Sequence, residues 1–255
     1  MSWLYNNSMN ELESLQKEVE SLKNANAVKS DLISISAHQL RTSLSALKWI
    51  LKMFLDKDVG TLSSEQESLI QKASESNDRM IALVNDMLTL SHTEETALSF
   101  KLAPTDLVKL FEQTLFEFSG ESHKKQIELV FLKPDTHSAN VNCDPEMIRV
   151  VFQNLTENAI KYSNAGDKVV ISIKENPDTL EISVHDNGIG IGEEEQKNIF
   201  SKFFRAENAK KKDVIGSGLG LFTVKKIVEH HNGKIWFESH KDKGTTFFVS
   251  LPINK

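Results

Sequence analysis

Residues 179–190 read Thr-Leu-Glu-Ile-Ser-Val-His-Asp-Asn-Gly-Ile-Gly. Apolar and polar side chains alternate as far as Asp186, the pattern of a strand covered on one face, and the chain then enters a loop with glycines at 188 and 190. Such a strand ends on a carboxylate beside backbone that can pass close to a flat ring. Just upstream, 168–174 alternates in the same way, and Glu175-Asn176-Pro177-Asp178 reads as the tight turn joining the two strands.

Working outward, Asp144-Pro145-Glu146 is a helix start, with Asp as N-cap and Pro at the first helical position, and the helix should reach Tyr162. Residues 106–118 read as helix, 126–132 as strand, 223–230 as helix, and 234–239 with 245–251 as a hairpin around Lys243-Gly244. This order predicts an α/β sandwich over 104–255, one antiparallel-rich sheet with helices on one face.

The first hundred residues differ in kind. They hold one glycine, Gly60, and no proline, whereas all five prolines and the other ten glycines lie beyond. A heptad register places Leu12, Val19, Asn26, Ile33, Leu40, Leu47 and Phe54 at a, and Leu15, Leu22, Lys29, Ser36, Ser43 and Ile50 at d. One helix is expected over 10–55, then a turn at 56–60. Ser64 with Glu67 offers a capping box for a second helix carrying Leu69, Ala73, Ser76, Met80, Leu83, Met87 and Leu90. Each helix has one apolar stripe, so the hairpin needs a second hairpin. The expected fold class is therefore α + α/β: a long helical hairpin forming a dimeric four-helix bundle with an N-terminal coiled coil, then the α/β sandwich.

Composition bounds the function. Net charge is −6, against a nucleic-acid-binding surface. Cys143 is the one cysteine, which excludes an internal disulfide and a cysteine-based zinc cluster. No apolar run is long enough to span a bilayer, and the first residues do not form a signal peptide. The chain reads as soluble and cytoplasmic, with no membrane contact of its own. A coiled coil starting so near residue 1 suggests a sensor or membrane region upstream.

Three features of the second part read as pieces of one site. Asn154 and Asn158 share a helix face, with Lys161 and Tyr162 one turn on, offering carboxamide oxygens to a hard cation and an ammonium to phosphate. Asp186, Gly188 and Gly190 form the second. Gly216-Ser217-Gly218-Leu219-Gly220-Leu221, running into a helix, can turn backbone N–H groups toward phosphates.

In this order and spacing they resemble the ATP-binding domain shared by sensor histidine kinases, type II topoisomerases, MutL-type repair proteins and heat-shock chaperone ATPases. The kinase branch is singled out by Ser36-Ala37-His38-Gln39-Leu40-Arg41-Thr42, which resembles the phospho-acceptor box, with His38 at the exposed f position. Phe200, Phe203-Phe204-Arg205 and Gly244-Thr245-Thr246-Phe247 add to the likeness. The other histidines considered, at 92, 123, 137, 230, 231 and 240, read as solvated surface residues.

The resemblance implies the segments 1–29 as a coiled-coil signalling helix, 30–95 as the dimerisation and phospho-acceptor domain, 96–103 as linker and 104–255 as the ATP-binding domain. It implies ATP and Mg²⁺, a lid over about 192–217, a homodimer, autophosphorylation of His38, and transfer to an aspartate of a response regulator receiver domain. By position, Asn158 looks like the principal Mg²⁺ ligand and Asn154 a supporting one. Lys161 and Tyr162 would line the phosphate and base sides, and Asp186 would read the adenine amine beside Gly188 and Gly190. Arg205, Gly216, Gly218, Leu219, Gly220 and Thr246 complete the nucleotide set, and Gln39 and Thr42 join His38 in the catalytic set. Lys210-Lys211-Lys212, in the lid, reads as a solvated charge run.

The sequence departs from the family at Gln39, where an acid is usual, and at Ser43, where a helix-bending proline is usual. These departures support an alternative, an ATP-binding signalling protein with weak kinase activity acting mainly as a phosphatase or binding module. An ATP-driven clamp, a third class, gives no reason for the His38 box.

Overall fold

Two stripes of apolar side chains on α1 (Ser2–Leu55) and α2 (Ser64–Glu95) organise the N-terminal unit. The protein, seen in a computed structural model that describes residues 2–95, 101–134, 140–212 and 216–253, divides into units Met1–Leu98 and Ser99–Lys255. The side chains of the expected coiled-coil positions Leu12, Leu15, Val19, Leu22, Asn26 and Lys29, like those of Met87, Leu90 and His92, lie outside the described residues. So do residues 96–100 of the expected linker, His137, and residues 213–215 of the expected lid.

Within the hairpin, Ala37 of α1 is buried with Val84 and Leu88 of α2, Leu44 packs beside them, and Leu51 is buried further along α1. These α1 residues recur every seven positions, one row over from the expected a and d positions. Much of the a/d row stays uncovered, although Ile33 and Phe54 are half-buried: Leu40 is 52% exposed, Leu47 40% and Ile50 47%. Leu69, Met80 and Leu83 of α2 are likewise exposed. Buried Asn77 donates to the carbonyl of Leu44 at 3.0 Å, and Lys48 pairs with Asp78 at 2.8 Å. The capping box sits one residue earlier than expected. Ser63 N–H donates to Oε1 of Gln66 at 2.9 Å, and Gln66 N–H donates to Oγ of Ser63 at 3.3 Å, so Ser64 and Glu67 do not form it.

The second unit opens with β1 (Ala103–Asp106) and α3 (Leu107–Lys124), capped by Asp106. Then come β2 (Glu128–Leu132), β3 (Asn140–Cys143) and α4 (Pro145–Tyr162). Asp144 caps α4 by accepting from Glu146 and Met147, with Pro145 in the first turn. Next are β4 (Lys168–Glu175), β5 (Thr179–Asp186), the one-turn helices α5 (Glu193–Gln196) and α6 (Glu207–Lys211), α7 (Gly220–His230), β6 (Lys234–Ser239) and β7 (Thr245–Pro252).

The main sheet has the order β2-β4-β5-β7-β6, antiparallel except for the parallel β2–β4 pair, and β1 pairs with β3 in a small sheet that the sequence pattern does not show. Alternate residues of β4, β5 and β7, such as Ile171, Ile182 and Val249, point into a core with Phe111 of α3, Phe152 and Leu155 of α4 and Ile227 of α7. Helices on one face thus leave the ends of β5 and β7 beside the ends of α4 and α7.

Candidate functional site

Asp186 closes the central strand on its helix-facing side and is 5% exposed. Its carboxylate accepts from the N–H of Gly188 at 2.9 Å and from the backbone of Thr245. Burial nevertheless pushes its pKa up to about 6; Asp167 adds to the rise, while the two N–H groups and the Lys212 ammonium oppose it. A buried carboxylate that is ionised above that pH is a strong acceptor for an amine, and such perturbed groups gather at functional sites.

The loop after Asp186 is pressed against α4. A Cβ on Gly188 would strike the carbonyl oxygen of Tyr162, so only glycine lets the loop lie there. Ile189 N–H donates to that same carbonyl at 3.3 Å. Gly190 lies against the His240 carbonyl, and Gly218 against the main chain of Phe203 and Phe204. Gly220 lies against Oδ1 of Asn154, joining the start of α7 to the middle of α4, whereas among the described residues nothing lies near the Cβ position of Gly216. Leu219, wholly buried, precedes α7 and donates its N–H to Oγ of Ser217 at 3.0 Å.

On α4, Asn154 donates to the Val150 carbonyl at 2.9 Å, leaving its oxygen toward Gly220. Asn158 is half-buried, and its carboxamide has no hydrogen-bond partner among the described residues. Lys161 is paired with Glu157 one turn back. The Tyr162 hydroxyl is pushed upward in pKa by burial, with Arg205 and Lys161 pulling the other way. Arg205, half-buried, also donates to the Ala209 carbonyl at 3.4 Å.

Thr246 requires a correction. It stands on the opposite face of β7, where its hydroxyl meets Nδ1 of His185 at 2.9 Å. Thr245, one residue earlier, is the buried partner of Asp186, and its hydroxyl meets that of Ser239 at 2.8 Å. Strand parity could have found it: Asp186 and Thr245 are register partners in adjacent strands. A second correction concerns His231, which is buried rather than solvated, while His123, His230 and His240 are exposed.

On α1, His38 and Gln39 are exposed beside buried Ala37. The Thr42 hydroxyl donates to the His38 carbonyl at 3.1 Å, and the Ser43 hydroxyl to the Gln39 carbonyl at 3.2 Å. Such bonds to the carbonyl four residues back tend to bend a helix. Ser43 thus loads the carbonyl that a proline in its place would crowd.

A family profile described as the His Kinase A (phospho-acceptor) domain matches residues 28–96, and one described as the histidine kinase-, DNA gyrase B-, and HSP90-like ATPase matches residues 143–255. Together they mark a sensor histidine kinase catalytic core.

This histidine kinase core is 31% identical over 245 residues to the circadian input-output histidine kinase CikA of Synechococcus elongatus, covering 94% of this chain and 32% of that protein. It is 32% identical over 229 residues to the sensor histidine kinase WalK of Bacillus subtilis, covering 88% of this chain and 37% of that one. The chain therefore spans about a third of the length of these curated relatives. Among solved structures, full-length ShkA in complex with AMPPNP superimposes with a TM-score of 0.67 at 25% identity, over 88% of this chain and 46% of that one. Among the described residues of the kinase core, no helix is long and apolar enough to cross a membrane.

Proposed function

We propose that this kinase core autophosphorylates His38 from ATP and passes the phosphoryl group to an aspartate of a response regulator receiver domain. The observation that supports this best is the buried, glycine-flanked carboxylate of Asp186 in one unit, together with an exposed histidine in a phospho-acceptor box in the other. Asp186 accepts from the adenine amine, and Gly188 lets the base lie against the loop. Gly216, Gly218, Leu219 and Gly220 direct backbone toward the phosphates at the start of α7. Lys161, Tyr162 and Arg205 line the remaining walls.

Mg²⁺ fits the donors present, because the Asn158 carboxamide is uncommitted among the described residues and the Asn154 oxygen lies nearby on the same face. When bound there it would neutralise phosphate charge. The ring nitrogen of His38 bonds to the γ-phosphorus as the bond to the bridging oxygen breaks; ADP leaves, and the ring proton passes to water. Gln39 accepts a hydrogen bond from the imidazole and holds it in place. Thr42 serves dephosphorylation of the docked regulator.

The uncovered stripes through Leu40, Leu47 and Ile50, and through Leu69, Met80 and Leu83, support a homodimeric four-helix bundle over 30–95. Residues 1–29 then carry the signal in, 96–103 link the units, and 104–255 bind nucleotide. Incubation with γ-labelled ATP tests the reading. The expected product is a protein label that is acid-labile, alkali-stable and absent from His38→Ala. An acid-stable label, or turnover without labelled protein, overturns it.

A further inference from the structure

Lys210 fits the expectation of a solvated lysine run, since its ammonium pairs with exposed Glu207 at 2.6 Å. Lys212 does not. Its ammonium donates to the carbonyls of Tyr162 and Ser163, both at 2.9 Å, and to Oδ1 of Asn164 at 3.1 Å. A lysine ammonium has three donors, and all three are engaged. The acceptors sit at the C-terminal end of α4, where the last carbonyls of a helix lack partners and the helix dipole is negative. Burial lowers the Lys212 pKa there, while Asp167 and Asp186 act to hold the charge.

The other end of α6 is fastened as well. Asn208 donates to the Gly190 carbonyl at 2.8 Å, and Glu207 N–H donates to Oε1 of Glu195 at 2.8 Å. A one-turn helix cannot hold itself in water. These bonds therefore set where α6 lies: strapped between the loop after Asp186 and the end of the helix that carries Asn154 and Asn158.

We propose that Lys212 is a positioning residue for the nucleotide. By capping α4 it clamps α6 beside the base end of the pocket, so that release of the nucleotide requires the clamp to give. This rests on the Asp186 pocket being the nucleotide site.

Hydrogen exchange of residues 207–212 and stopped-flow release of a fluorescent methylanthraniloyl-ATP test it together. Lys212→Met keeps the length of the stem and removes the donors. It should raise exchange in 207–212 roughly tenfold, speed release by a similar factor, and raise KM for ATP more than it lowers kcat, the scale of losing charge-assisted bonds at a half-exposed site. Asn164→Ala, which removes one acceptor of three, should give a milder change in the same direction and carries the test if Lys212→Met fails to fold. Unchanged exchange and release in a folded variant overturn the clamp. Raised exchange with unchanged release overturns the positioning role while leaving the nucleotide site standing. Failure of the parent to bind the probe overturns the site itself.

Discussion

The backbone N–H of Asp144 donates to Nε2 of His231 at 3.0 Å, tying the cap of α4 to the end of α7. Nδ1 lies 2.7 Å from the Ile227 carbonyl, so the ring proton is on Nδ1 and the buried imidazole is neutral. Burial lowers its pKa, against the Ile227 carbonyl and Asp144, which favour the charged form. The unfolded chain then binds the proton more readily, so stability falls as pH drops below about 6.5. Asp186 has the opposite sign: its raised pKa makes the folded state the better proton binder between about 4 and about 6. The difference between parent and His231→Ala isolates the histidine. The variant should lose about 1–3 kcal/mol near neutral pH and show a shallower acid slope in its unfolding midpoint; equal slopes would refute the assignment.

Asp186→Asn should abolish measurable ATP binding, while His38→Ala, in a separate unit, should bind like the parent. In the parent, affinity should weaken as pH falls through about 6, where the carboxylate takes up its proton. Calorimetric titration at several pH values checks both statements. Affinity independent of pH across that window would argue against Asp186 as the acceptor.

Gly244 has φ +89°, and a Cβ there would strike the carbonyl oxygen of Asp186. Gly244→Ala should therefore cost roughly 1–3 kcal/mol and weaken ATP binding by displacing Asp186. Gly216→Ala, with nothing near its Cβ position among the described residues, should leave stability within about 0.5 kcal/mol of the parent. Thermal unfolding of the pair decides whether glycine is required at both positions.

Periodicity made most elements legible, because a strand covered on one face and a helix with one apolar stripe write their burial into the sequence. The four-residue strands β1 and β3 are too short to show a period. Ser63-x-x-Gln66 and Ser64-x-x-Glu67 both satisfy the capping pattern, and local sequence does not choose between them. Thr245 and Thr246 are alike in chemistry; only the register with Asp186 separates them. His231 and Lys212 look like solvated residues in the sequence because their partners, Asp144 and Tyr162, are distant in it. The glycine loops and Asp186 were readable because few other roles demand that pattern after a strand.

Leu47→Glu places a charge on the uncovered stripe of α1. It should dissociate the proposed dimer and unfold the helical hairpin, while the second unit still binds ATP. Sedimentation and nucleotide titration test this; a folded parent monomer at micromolar concentration would remove the need for a partner hairpin.

Gln39 cannot take a proton from His38, so general-base help, worth ~10²–10⁴-fold where fully engaged, is missing. Exposure of His38 to water softens the loss. Autophosphorylation should be slow but measurable, and faster in Gln39→Glu. Thr42→Ala should impair regulator dephosphorylation and spare autophosphorylation. Initial rates measured side by side settle it, and a Gln39→Glu no faster than the parent would show that the glutamine is no handicap.

The strand that separates β5 from β6 is β7, which follows both in the chain. A ribosome adding ~5–20 residues per second thus delivers both halves of the sheet before the piece that joins them. The helical hairpin ends at residue 95, in a unit of its own, so under the proposed homodimer two nascent chains could pair before either has a finished sheet. Until β7 emerges, β5 exposes an open edge, and Asp186 has no Thr245 beside it. If the proposed homodimer forms, a message cut short at residue 244 would therefore yield a chain able to pair with an intact one yet unable to close its own sheet, the physical basis for a dominant-negative truncation.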